Sequence, residues 1–310
     1  MDGGVGQRSP VLPAIPGSLS TDDEDGMKKI KVVADSTSNI PDDLAKELDI
    51  RLVPYCIQFG NETFYEDGSL TREEFHRRIA EGVFPKTSQP PIGKFVEIFQ
   101  DAAKDAAGII CVTLTAAHSG GYAAAMAARD MMPDVLIKVI DSKAISMGSG
   151  FLAVAAARAA QLGKNMAEIV SMVEGIRERL CHAIALDTLK YLQMGGRVSA
   201  FQTILASMLN IKPILYVKDG VLLPYERVRT RGRSLQRIVE ITEAATGTSP
   251  ARIGVYHDQA AAECQEVLES LKSKLNVVES FTGELSLALT AHSGPGMVGI
   301  ISYPIGPDEP

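Results

Sequence analysis

The chain has 310 residues, of which 45% are hydrophobic and 22% charged, and its net charge is −7. That length supports two units with separate cores, the composition is that of a soluble globular protein, and the acidic balance argues against nucleic-acid binding. No apolar run approaches the roughly 20 residues of a membrane span and no basic segment leads into an apolar stretch as in a signal peptide, so the expected location is cytoplasmic, with at most transient membrane contact.

Residues 1–26 are rich in Gly, Pro, Ser and Asp. They read as a disordered tail, an upstream start or a vector-encoded remnant, with the folded part expected from Met27. Ile30–Ala34 is an apolar strand that runs into the polar loop Asp35–Asn39, and Pro41 suits the first turn of a helix at Asp42–Glu47. Arg51–Phe64 reads as extended, turning near Gly60-Asn61. Thr71 is a good cap for a helix at Arg72–Glu81, with Glu74 completing a capping box. Pro85–Pro91 is expected to be a loop and Ile92–Ala106 a helix. Strand Gly108–Leu114, loop Thr115–Gly121 and helix Tyr122–Met131 follow, then strand Val135–Ile140, a Ser/Gly loop and a helix from about Gly150 to Gln161. Such strand–loop–helix units predict a parallel sheet with helices on its faces. The runs Ala123–Ala125 and Ala155–Ala157 predict close packing against it. The expected break is Gly163-Lys164-Asn165, which gives an α/β unit over 27–165 and a second unit over 166–306.

In the second unit, helix Met166–Arg179 leads to strand His182–Asp187 and a short helix ending at Gly195-Gly196. Ile211–Val217 and Val221–Val228 flank Asp219-Gly220, a hairpin signature. Helix Ser234–Ala245, strand Arg252–Tyr256, helix Gln259–Lys272, strand Val277–Phe281, short helix Glu284–Thr290 and strand Met297–Tyr303 complete it. This pattern predicts an α+β unit with a mostly antiparallel sheet.

Several chemistries are absent. There is no phosphate-binding P-loop and no Gly-x-Ser-x-Gly nucleophile elbow. The five histidines show no His-x-x-x-His spacing, so no metal site is expected. Cys56, Cys111, Cys181 and Cys264 are unpaired in spacing and read as buried hydrophobes. Gly148–Ala153 fits the dinucleotide pattern Gly-x-Gly-x-x-Ala, but it lies beyond the end of its strand, so glycine-assisted packing at a helix start is expected instead.

What remains are loops rich in glycine and hydroxyls. Ala-His-Ser-Gly occurs twice, at Ala117–Gly120 and Ala291–Gly294. An imidazole, a hydroxyl and unshielded N–H groups are what a carboxylate or phosphate needs. Thr87-Ser88 and Ser119-Gly120-Gly121 each precede a helix, whose N-terminus favours an anion; each hydroxyl would equally serve to cap its own helix. Gly195-Gly196-Arg197 places a permanent cation on a turn. Arg227, Arg229, Arg231 and Arg233 alternate, and in an extended strand would line one face, as edge protection or as a docking surface. His292, beside Ser293 in a glycine-rich turn, is read as a polar functional group. His76, His182 and His257 are read as structural.

Val32–Thr37, Thr87–Pro90, Ser119-Gly120, Tyr191-Leu192 with Gly195–Arg197, Lys212–Ile214, Arg229-Thr230, and His292 with Gly294–Gly296 follow one another in order. Taken together, they make the chain resemble the DegV family of fatty-acid-binding proteins. The resemblance implies a two-domain DegV-like fold: a parallel α/β/α N-terminal domain, then an α+β domain with a mostly antiparallel sheet, and a long-chain fatty acid between them. It implies that Thr87 and Ser119, with Ser88, Gly120 and Gly121 beside them, hold the carboxylate. His292 and Ser293 would belong to the same network, Arg197 to the carboxylate end, and Arg229 with Arg231 to partner docking. It also implies a carrier, with no cofactor, that presents the acid to an ATP-dependent fatty acid kinase related to dihydroxyacetone kinases. The chain departs from the family pattern at Pro91, where serine is usual, and at His118, where leucine is usual. It has Ser119-Gly120-Gly121-Tyr122-Ala123 where Ser-Gly-Thr-Tyr-Gln is usual, which removes two side-chain donors near the expected head group. A hydrolase or transferase using Ser119 with His292 is the alternative, and it needs a third group to orient the base; a lipid-sensing regulatory module is another.

Overall fold

A computed structural model describes residues 29–197, 211–307 and 309–310. The segment read as a tail, residues 1–26, lies outside the described residues. Strands β1 (Lys29–Asp35), β2 (Ile50–Val53), β6 (Ala106–Thr113) and β7 (Ile137–Asp141) form a parallel sheet in the order β2-β1-β6-β7. Its strands are apolar on both faces, as a sheet covered on both sides requires. Val33, Ile109 and Cys111 face helices α3 (Ile92–Ala103) and α4 (Gly121–Asp130), packing with Phe95, Phe99, Ala124 and Ala125. Val32, Ala34, Ile110 and Val112 face the other way, onto helix α5 (Met147–Gln161). This alternation is the period-two geometry of a strand.

The second sheet has six strands in the order β10-β9-β8-β13-β11-β12. They are β8 (Cys181–Ala185), β9 (Lys212–Lys218), β10 (Val221–Val228), β11 (Ala251–His257), β12 (Val277–Glu284) and β13 (Val298–Pro304). Every pairing is antiparallel except β11 with β12. Those two are joined through helix α9 (Ala261–Lys274), and a parallel pair needs such a crossover. Helix α8 (Arg231–Thr246) and α9 cover one face of this sheet. Ile184, Leu215, Ile301 and Tyr303 on the other face pack onto the cluster around α5.

Helix α5 therefore lies between both sheets. Every residue in it except Arg158 and Gln161 is buried, the pattern of a helix with no solvent face. The side chain of Arg158 forms an ion pair with Glu279 on β12. The glycines at its start permit close approach: a Cβ at Gly150 would come within 2.5 Å of the Ser38 carbonyl oxygen, and one at Gly148 within 2.5 Å of His182 Nε2. The Gly-x-Gly-x-x-Ala pattern is accounted for by this packing. The helix starts at Met147, earlier than the sequence suggests, and Ser146 before it adopts a positive φ of 52°. The break expected at residues 163–165 is a tight turn into helix α6 (Met166–Arg179), with Gly163 at φ 79° and Asn165 forming a capping box with Glu168.

Two expectations are corrected. Pro85–Pro91 is not all loop. Lys86–Ser88 forms strand β5, which pairs with β3 (Cys56–Phe59) in a small antiparallel sheet completed by β4 (Glu62–Tyr65), order β4-β3-β5. Three residues carry no periodicity of their own; the pairing partner makes them a strand. The alternating arginines do not line one face, because the chain passes from β10 into α8 at Thr230, which caps that helix. Arg231 is paired with Glu263 and Arg233 with Glu240.

If the glycines of α5 serve packing, Gly150→Ala should destabilise the fold by about 1–3 kcal/mol, the usual cost of overpacking against a fixed neighbour. The midpoint of chemical denaturation measures it.

Candidate ligand-binding site

In an open parallel sheet, ligands bind beyond the carboxyl ends of the strands, where the chain turns in opposite directions from neighbouring strands. Here that point lies between β1 and β6. The buried carboxylate of Asp35 closes it: Oδ1 accepts from the Thr37 amide at 3.1 Å and from the Thr37 hydroxyl, and Oδ2 accepts from the Leu114 amide at 2.7 Å. Burial raises the Asp35 pKa to about 6, while these hydrogen bonds oppose the rise. The loop after β6 is tied on its far side to the β9–β10 hairpin. Thr115 donates to the Gly220 carbonyl at 2.9 Å, and the Leu222 amide donates to His118 Nε2 at 2.7 Å.

A cavity opens between these loops and the second sheet. Its volume is about 930 Å³, counting its open mouth. Leu114, Ile184, Leu186, Leu192, Leu215, Leu222, Leu289 and Ile301 give it apolar walls. Thr87, Ser88, Ser119, Arg197, His292 and Ser293 also line it, so six side chains from four separate segments meet there.

These polar groups are connected. Pairing of β5 with β3 sets Thr87, whose Oγ1 lies 2.7 Å from His292 Nε2. His292 is carried by helix α10 (Leu287–Ser293). Its Nδ1 faces Gly195, where a Cβ would fall 2.0 Å away, and has no hydrogen-bond partner among the described residues. The distance from Thr87 to Nε2 allows either ring tautomer; with the proton on Nε2, His292 donates to Thr87 and leaves the Thr87 hydroxyl proton for a ligand. Burial, then the charges of Arg197 and His118, hold the His292 pKa down to about 4. His118 is lowered as well, by burial and then Arg197. Because its Nε2 accepts from Leu222, its proton sits on Nδ1. Ser119 Oγ lies 2.7 Å from the Tyr55 hydroxyl and accepts from the Gly121 amide at 3.3 Å. Arg197, half-buried and bonded to the Gly195 carbonyl at 2.6 Å, is the one permanent cation among the described lining residues.

Not every expected residue is at the cavity. Gly120 and Gly121 do not line it, and the Gly121 amide is used by Ser119 rather than offered to a ligand. Arg231 is held by Glu263 and Arg229 is exposed at the end of β10; neither reaches the cavity. His76, His182 and His257 are structural in their contacts: His76 meets buried Asp258 at 3.0 Å, His182 lies under α5, and His257 accepts from the Ala260 amide. Sequence reasoning missed Tyr55 and treated His118 only as a departure. Nothing local marks Tyr55, which lies in a segment read simply as extended. Among the described residues no group of three or more His, Cys, Asp or Glu side chains could hold a metal ion.

The burial of His292 has a direct consequence. Its folded pKa of about 4 lies below the ordinary 6.5, so the unfolded chain takes up this proton first and falling pH between those values costs stability. In ligand-free protein the ring should titrate near pH 4 by NMR; a midpoint near 6.5 would mean that the ring is solvated.

Comparison with known proteins adds a family. Residues 29–304 match the model of the DegV family of uncharacterised proteins. A DegV domain-containing protein of Caldanaerobacter subterraneus subsp. tengcongensis is 33% identical over 275 residues, covering 88% of this chain and 98% of the relative. The structure of a DegV family protein from Thermus thermophilus, described for its fatty acid binding, superposes with a TM-score of 0.83 at 29% identity, covering 89% of this chain and all of the other. That of DegV, a fatty acid binding protein from Bacillus subtilis, gives 0.82 at 29% identity, covering 90% and 100% of the two chains. With a family match over almost all the described residues, the same two-sheet architecture and a cavity between the sheets, the chain belongs to the DegV family.

Proposed function

We propose that this protein is a cytoplasmic carrier that binds a long-chain fatty acid in the cavity between its two sheets. The carboxylate is held by Thr87 and Ser119, with His292, Arg197, Ser88 and Ser293 around it, and the alkyl chain runs along the leucine and isoleucine walls. The observation that carries this reading is the pairing of an apolar-walled cavity with a cluster of hydroxyl groups and, among the described lining residues, one permanent cation. Each buried methylene contributes about 0.8 kcal/mol, which favours a long alkyl chain. A buried carboxylate needs hydrogen-bond donors and a compensating charge, and the free Thr87 proton, Ser119 and Arg197 would provide them. Relatives described as fatty acid binding support the same ligand.

The enzyme reading draws little support from the geometry. A nucleophilic serine needs its base within hydrogen-bond reach, whereas His292 is engaged by Thr87 and Ser119 by Tyr55. We further infer that the carboxylate is presented to an ATP-dependent fatty acid kinase related to dihydroxyacetone kinases. Arg197 at the cavity and exposed Arg229 are the cations that suit such a step; Arg231, committed to Glu263, is not.

Lipid extracted from purified protein should contain fatty acid by mass spectrometry, and delipidated protein should bind a long-chain acid saturably; absence of both would remove the reading. Thr87→Ala with Ser119→Ala should weaken binding by roughly tenfold or more, since a hydrogen bond to a charged group contributes about 1.5–3 kcal/mol. Transfer of phosphate from ATP to bound acid, on adding a kinase of that class, tests the presentation step.

A further inference from the structure

We propose that Tyr55 is a head-group residue: its phenol hydroxyl, seated where a side chain at position 121 would otherwise lie, orients the Ser119 hydroxyl toward the ligand carboxylate. This inference rests on the fatty-acid reading above.

Tyr55 sits in the link between β2 and β3 and is fixed on both sides. Its amide donates to Ser36 Oγ at 3.0 Å, and its carbonyl accepts from the Glu66 amide at 2.9 Å. The ring is 4% exposed and packs with Leu114 and Ala288. Tyr55 lines the cavity, and its hydroxyl lies 2.7 Å from Ser119 Oγ. A Cβ added at Gly121 would come within 2.7 Å of that oxygen. The backbone of Gly121 does not have a positive φ, so steric room for the phenol, not chain conformation, is what glycine provides here. Gly121 is thus the space that a donor from another segment occupies.

Either hydroxyl can donate in this bond, and the proposed arrangement has Tyr55 as the donor. Two hydroxyls bring two protons, and one is used in the bond between them. The Gly121 amide, at 3.3 Å, fills a further acceptor position on Ser119 Oγ. With Tyr55 donating, the Ser119 proton remains, on an oxygen that lines the cavity. The pair is then a net donor facing the ligand. A carboxylate only accepts and matches it, whereas an ester oxygen is a weaker acceptor and brings no charge. Tyr55 stays protonated throughout the accessible pH range, because burial, followed by the nearby charges of Asp35 and Glu66, raises its pKa well above the usual tyrosine value.

The test compares delipidated wild type, Tyr55→Phe, Gly121→Ala and the double variant, using oleic acid and methyl oleate as probes. Tyr55→Phe keeps the ring and should reduce oleic acid affinity about tenfold while leaving methyl oleate affinity nearly unchanged. Gly121→Ala should lower both thermal stability and oleic acid affinity by displacing the phenol oxygen. Adding Tyr55→Phe to it should restore stability, because the oxygen in the way is gone, but not affinity. Wild-type affinity in Tyr55→Phe, or an equal loss for acid and ester, would overturn the proposal, as would a double variant no more stable than Gly121→Ala. Wild type that binds neither probe would instead overturn the fatty-acid reading, and is recognised before any variant is compared.

Discussion

Close packing of helix α5 between two sheets is the constraint on which the rest of this structure depends. The helix buries nearly its whole surface, and its alanines and glycines bring both sheets close to its axis. A bulkier helix would hold the sheets apart; an amphipathic one would leave one sheet uncovered. Close approach along α5 also fixes where the sheets separate. Just before its N-terminal end, Ile145 and Ser146 line the cavity. Ser146 adopts a positive φ at this point, a backbone conformation that surrounding contacts must hold in place. Asn39 supplies one of them, accepting from Ser146 Oγ at 3.0 Å while donating to the Glu284 carbonyl across the two sheets.

Electrostatics shape the site in the same way. Among the described residues Asp35 has no basic partner, and it binds two amides and a hydroxyl that hold the loops leaving β1 and β6. The same lack of solvent keeps His292 and His118 neutral. Neutral imidazoles accept as well as donate, so they can organise hydroxyls and amides around the cavity without adding charge. Arg197 is then the one permanent cation among the described lining residues. A ligand with one negative charge and a long apolar tail suits that balance, and a doubly charged phosphate suits it less well.

His118 and Tyr55 both tie the loop around Ser119 to other segments. His118 binds the hairpin that walls the cavity, joining the loop that carries Ser119 to the second sheet. Tyr55 reaches Ser119 from the first unit. Both side chains act across the chain rather than within their own segments.

Much of this was legible in the sequence. The alternation of apolar strands and helices determined the parallel sheet, and Asp219-Gly220 determined the hairpin, because turn chemistry and hydrophobic period are local properties. Thr87, Ser119, Arg197 and His292 were legible as polar groups; Ser119 and Arg197 do lie in loops, whereas Thr87 stands on β5 and His292 on α10. Strand β5, the separation of the alternating arginines by the cap at Thr230, and the use of the Gly121 amide by Ser119 were not. The strand needs Ile57 opposite Thr87, whereas the Thr230 cap and the Gly121 amide act on neighbours three and two residues away, where several local conformations compete. The sequence by itself determined most of the strands and helices and which segments carry polar chemistry. Only the tertiary structure decided which of those segments meet, because hydrogen bonds and steric room between distant segments exist only once the chain has packed.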